Sequence, residues 1–155
     1  MKRCAKVLFL LMIYALAACG LAAPAYGVTC RVVTASVSFG AYNPIPVQPD
    51  ITTLGTLEVN CDGATTVTIS LTVGSGTFAN RTLSRGLNSV GYNLYADAGY
   101  TQVWGDGTGG TITVSCSFSA PGTQSIPVYG RIRGGQQSAT PGTYIATPQI
   151  VISWN

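Results

Sequence analysis

The stretch Thr66-Val67-Thr68-Ile69-Ser70-Leu71-Thr72-Val73 decides the fold class. Val67, Ile69, Leu71 and Val73 fall on one face of an extended chain, and Thr66, Thr68, Ser70 and Thr72 fall on the other. Successive Cβ atoms of a strand point to opposite sides, so a period of two in β-branched residues marks a strand buried on one face. The pattern recurs outward in both directions. Leu57, Val59 and Cys61 alternate with Glu58 and Asn60; Ile112, Val114, Cys116 and Phe118 alternate with Thr113, Ser115 and Ser117. Ile126, Val128, Gly130 and Ile132 share a face, with Tyr129, Arg131 and Arg133 outward. Pro148, tolerated at a strand's start, precedes a last strand in which Ile150, Ile152 and Trp154 alternate with Val151 and Ser153.

The first strand changes phase. Val33, Ala35, Val37 and Phe39 share one parity, whereas Cys30 and Val32 share the other. A single strand can serve one core with both sets only through a bulge or a switch of sheet near Val32 and Val33. Turn signals separate the strands: the Pro44, Pro46 and Pro49-Asp50 loop, Asp62-Gly63, Gly74-Ser75-Gly76, Asp106-Gly107, Pro121-Gly122 and Pro141-Gly142. No segment carries a helical period. Roughly seven strands at short spacing predict an all-β sandwich in one domain, without linker or solenoid repeat.

The first residues read as a leader. Lys2, Arg3 and Lys6 precede an apolar run of 12 residues, Val7 to Ala18, too short for a bilayer span, and small residues follow. Ala25-Tyr26-Gly27 offers small residues for cleavage, which divides the chain into a signal peptide at 1–27 and a domain at 28–155. Leu16-Ala17-Ala18-Cys19 offers an alternative, a lipoprotein-like box in which a lipidated Cys19 would anchor the protein. Beyond residue 27 the charges balance: Arg31, Arg81, Arg85, Arg131 and Arg133 against Asp50, Glu58, Asp62, Asp97 and Asp106. The formal charge of +3 therefore belongs to the leader, and nothing argues for nucleic-acid binding. A sparsely charged neutral surface resists self-association poorly, which suits an assembling protein.

The residues needed for catalysis are missing. The chain has no His, the domain has no Lys, and no G-x-S-x-G elbow occurs, so neither a His- nor a Lys-activated serine is available. Asp97 and Asp106 flank Trp104 but sit in turn contexts, and Gly105 to Gly110 lacks the Lys and the following helix of a phosphate loop. Cys30, Cys61 and Cys116, without His, do not make a zinc pattern, and Asp106 lacks companions for Ca²⁺. No cofactor and no metal is expected. Tyr92, Tyr95, Tyr100 and Trp104 carry two readings, a glycan-binding platform or core and edge packing. An exported domain predicts oxidised cysteines, and three of them leave one over.

The run Tyr92 to Gly110, YNLYADAGYTQVWGDGTGG, together with Val128 to Gln136 and Pro141 to Tyr144, resembles the spore coat protein U domain shared by subunits of archaic (Csu-type) chaperone–usher pili. Val37 to Pro44 and Leu54 to Cys61 extend the resemblance. It implies an immunoglobulin-like β-sandwich that lacks its final strand and is completed by donor-strand complementation, a form of β-augmentation. It implies a Cys30–Cys61 disulfide, with Cys116 either a free thiol or a competitor for Cys30. It further implies a secreted subunit displayed at the cell surface through the periplasm and serving attachment and biofilm formation. The expected partners are a periplasmic chaperone, an outer-membrane usher and neighbouring subunits, with a glycan or abiotic surface as the thing bound. The groove is expected between the first strand (Val33, Val37, Phe39) and the last (Ile150, Ile152, Trp154). Cleavage after Gly27 leaves only Val28 and Thr29 before Cys30, too little to donate a strand, which suggests a tip or terminal place. The alternatives are an autonomously folded spore-coat or surface protein, and a carbohydrate-binding tip module.

Overall fold

The computed structural model describes residues 27–42, 49–137 and 139–155. The expected leader lies outside the described residues but for Gly27. The described chain forms eight strands: β1 (Cys30–Ser36), β2 (Ile51–Cys61), β3 (Thr65–Leu71), β4 (Arg81–Arg85), β5 (Asn88–Tyr95), β6 (Val114–Phe118), β7 (Gly122–Ile132) and β8 (Ile150–Trp154). They make a five-stranded sheet in the order β1-β2-β7-β5-β4 and a three-stranded sheet in the order β6-β3-β8. All strand pairs are antiparallel.

The alternation read from sequence is the burial pattern observed. Val67, Ile69 and Leu71 of β3 are buried, as are Leu57, Val59 and Cys61 of β2 and Ile126, Val128 and Ile132 of β7. These three strands supply the facing inner layers of the sandwich, and Phe118 closes one end. β2 runs further back than its hydrophobic pattern suggests. It pairs with β7 without a break from Ile51↔Ile132 to Cys61↔Gly122, so main-chain bonding carries it through Thr52 to Gly55, where side-chain alternation is weak. The hairpin β4–β5 was not legible as two strands, because Arg81-Thr82-Leu83-Ser84-Arg85 places a charged residue on the inward parity.

The phase change in β1 is a bulge. The register with β2 shifts between Val32 and Thr34, after which Ala35 stands opposite Leu57. Val33 is the residue squeezed out, and it is 49% exposed. Past the bulge, Val37 passes so close to β2 that a Cβ on Gly55 would overlap the Ser36 carbonyl. Cys30 and Cys61, opposite one another at the other end of the strand pair, are joined by a disulfide across 31 residues. In the chain-entropy model a loop of that length is stabilised by roughly 3–4 kcal/mol. Cys116 is a half-buried free thiol on edge strand β6 opposite Val67, so it does not compete for Cys30. Burial raises its pKa, which disfavours the reactive thiolate.

Candidate functional site

The two sheets end in unequal edges. β1 is an edge of the larger sheet and β8 an edge of the smaller one, and the two lie on the same side of the sandwich. At one end they meet: the Trp154 indole Nε1 donates to the Val28 carbonyl at 2.6 Å. At the other end they part, and a cleft of about 460 Å³ opens between them. One wall is Ala35 to Gly40, the other is Thr143 to Pro148 with Ile150, and the floor includes Leu57, Leu71, Leu94 and Val128. These floor residues belong to both sheets, so the cleft reaches into the layer that the rest of the sandwich keeps dry.

Three of the six residues expected at this groove line it: Val37, Phe39 and Ile150. Ile152 and Trp154 pack against the core nearer the closed end, in register with Ile69 and Val67. Val33 lies outside the cleft, because the bulge turns it away from the face that Val37 and Phe39 occupy. Phe39 sits on a gap in β7. A Cβ on Gly130 would come within 2.7 Å of its ring, and the ring meets Tyr92 edge-on with centroids 5.9 Å apart.

Sequence reasoning missed the second wall. The segment after β7 returns along β4, where Ser84 and Ile145 exchange two backbone hydrogen bonds of 2.8 and 3.1 Å. Tyr144 is fixed by its hydroxyl, which donates to the Thr140 carbonyl at 2.7 Å, and its ring packs edge-on against Tyr42. The only hint was the PGTY motif, which says turn and aromatic but not which strand receives them.

A buried arginine, also missed, ties β4 to β5 and to the segments that carry Thr72 and Trp104. Arg81 is fully buried on β4. It donates to Asn93 Oδ1 at 2.7 Å, to the Trp104 carbonyl at 2.8 Å and to the Thr72 carbonyl at 3.2 Å. Its Nε and the Tyr92 hydroxyl, both buried, make no hydrogen bond. Burial lowers the Arg81 pKa, opposed chiefly by the neighbouring Tyr92, and burial raises the Tyr92 pKa. Trp104 is fully buried, with its indole N–H donating to the Ile69 carbonyl at 3.0 Å. Trp104 therefore cannot stack a sugar; Trp104 and Tyr92 join the core, while Tyr95, on the outer face of the sheet, is covered by Tyr100 and Arg131, so the run presents no open aromatic platform.

The two aspartates considered for catalysis cap turns. Asp97 accepts from the Thr101 and Gln102 amides, and Asp106 from the Thr108 amide and hydroxyl. These bonds, led by the Gln102 amide for Asp97 and the Thr108 hydroxyl for Asp106, hold both carboxyls below the ordinary range. Among the described residues no group of three or more His, Cys, Asp and Glu side chains is placed to hold a metal ion.

No curated protein matches the sequence. The fold is similar to a crystal structure of the CsuC-CsuE chaperone-tip adhesion subunit pre-assembly complex from archaic chaperone-usher Csu pili of Acinetobacter baumannii. The TM-score is 0.56 at 16% identity, over 81% of this chain and 39% of that one. At that identity the likeness speaks for the fold, and the match spans about two fifths of the other chain. The model of the Spore Coat Protein U domain matches residues 16–150, most of the chain, and the protein belongs to that family.

Proposed function

We propose that this chain is a pilus subunit that accepts a strand: a sandwich left open between β1 and β8, completed first by a periplasmic chaperone and then by a neighbouring subunit. The observation that carries this reading is the cleft itself. It exposes the inner layer beside two strand edges, each paired on one side only. An extended segment entering there could bond to both edges and place every second side chain on Leu57, Leu94 and Val128. An open apolar groove flanked by free edges is a liability in water, so the chain needs an occupant soon after export.

On this reading residues 1–27 are a leader removed on export and 28–155 form the subunit, which crosses the periplasm, passes an outer-membrane usher and ends at the cell surface. As part of a surface pilus it serves attachment and biofilm formation, and it catalyses no reaction. The test is expression of 28–155 in an oxidising periplasm with and without the cognate chaperone, followed by urea unfolding of the soluble fraction. The expected result is aggregation alone and rescue by the chaperone or a donor peptide. A cooperative unfolding transition from a lone monomer would instead mean a self-sufficient sandwich, and the surface-coat reading would replace this one.

A further inference from the structure

We infer that the outer face of the five-stranded sheet carries a second site, which binds the carboxylate of an acidic saccharide. It lies where β7 ends beside the start of the β4–β5 hairpin, as a polar cleft of about 350 Å³. Ligand sites begin at about 300 Å³, so this cleft suits one or two sugar units. Arg131 and Arg133 both line it. Two residues apart on an extended chain, their side chains leave the same face. No Asp or Glu lines the cleft. Of the five acidic residues, Asp62, Asp97 and Asp106 are engaged with backbone N–H groups elsewhere, while Asp50 stands beside the cleft and accepts from the amide of its lining residue Gly134 at 3.0 Å. The single ion pair among the described residues is Arg131 Nε to Asp50 at 3.7 Å. Asp50 thus answers part of the Arg131 charge, and Arg133, exposed at the mouth, has no carboxylate within ion-pair distance.

The site is organised in advance. The Arg131 guanidinium lies 5.3 Å from the Tyr95 ring centre and 5.4 Å from that of Tyr100, and donates to the Tyr95 hydroxyl at 3.2 Å. A guanidinium has five donors, and this is the one intramolecular hydrogen bond that the Arg131 guanidinium makes among the described residues. Tyr100, at φ 55°, is the sole non-glycine residue in the left-handed region among those described. Its turn is clamped by Asp97, which accepts from Thr101 and Gln102 at 2.7–3.0 Å. Strained residues persist where their surroundings over-determine them, and here the strain aims a ring at Arg131. The opposite wall is equally fixed. The Gln136 side chain bonds both the amide and the carbonyl of Gly91, standing in for a strand neighbour. A Cβ on Gly91 would meet the side-chain oxygens of Asn80 and Gln136, so glycine keeps this wall in place.

These groups select a ligand class. Planar guanidinium forks match carboxylates, the Asn80 amide suits a hydroxyl, and the volume exceeds what a small inorganic anion fills. A neutral sugar would leave the exposed Arg133 to water, whereas a carboxylate gains a charge-assisted contact there. The site shares no charged residue with the apolar cleft and does not depend on the pilus reading.

The test is an NMR titration of the protein as recovered from the periplasm, with its complementing partner where one co-purifies. The probes are digalacturonate, its methyl ester and inorganic phosphate. Digalacturonate is expected to bind, with the ester and phosphate at least about tenfold weaker. Arg133→Gln should weaken digalacturonate by at least about tenfold while its urea midpoint stays that of the wild type, and Arg85→Gln should bind normally. No binding of digalacturonate, equal binding of the ester, equal binding of phosphate, or an equal loss in Arg85→Gln would each overturn the assignment.

Discussion

Ile150→Asp should uncouple this chain from any strand donor. Ile150 stands on the rim of the apolar cleft, half-buried and in register with Leu71. In the open chain an aspartate at this half-buried position keeps part of its water, so the subunit itself should lose about 1 kcal/mol. Once a strand fills the cleft, the site closes over. The complex then forfeits the remaining part of an isoleucine's burial, about 1 kcal/mol, and must also desolvate a carboxylate at several kcal/mol more. A combined penalty of about 4 kcal/mol or greater corresponds to a roughly thousandfold weaker complex. The control is Val33→Asp, on the same strand edge as the cleft wall but turned outward by the bulge and 49% exposed. The assay is co-purification with the periplasmic chaperone, together with binding of a synthetic donor strand. Each variant is first checked for the Cys30–Cys61 bond. Ile150→Asp should lose the partner and Val33→Asp should keep it. Retention by Ile150→Asp at wild-type level, or equal loss in both, would refute the argument that insertion between β1 and β8 is what binds.

Arg81→Met should destabilise the fold by about 2–4 kcal/mol in urea, because the Trp104 and Thr72 carbonyls lose charged donors while the cost of burying a guanidinium is returned; no change would mean that Trp104 is held by its own indole alone. Gly130→Ala should cost about 1–3 kcal/mol by lifting the Phe39 ring, and most of that cost should vanish in a Phe39→Ala background, a coupling a double-mutant cycle measures. Additive effects would show that the ring moves aside freely. Asp97 is held below the ordinary carboxylate value of about 4, so its contribution is present above that value and disappears as pH falls through its lowered folded pKa. Asp97→Asn should therefore lower stability at neutral pH and flatten the acid limb of a stability–pH curve; an acid limb of unchanged steepness would assign it to other carboxylates.

Much of the fold was legible because half-buried strands write their burial directly into a period of two. β3, β6, β7 and β8 are near where alternation puts them, and the conflict of parity between Val32 and Val33 appears as the bulge. Legibility failed where side chains do not report the backbone's partners. Arg81 sits on a core parity that a charged residue seldom holds, so β4 was not visible. Trp104 looks the same in sequence whether it stacks a sugar or bonds the Ile69 carbonyl inside the core.

The candidate site divides in the same way. Val37, Phe39 and Ile150 were readable as inward residues of the first and last strands. Their convergence on one cleft was not, nor was the exclusion of Val33 from it. An all-β sandwich and the inward faces of its strands could be read from the chain alone, because these follow from local periodicity and residue chemistry. Which edges stay open, how Arg81 is satisfied and where Arg131 meets Tyr100 emerge from the folded arrangement, because sheet order and loop return bring together residues that no local pattern links.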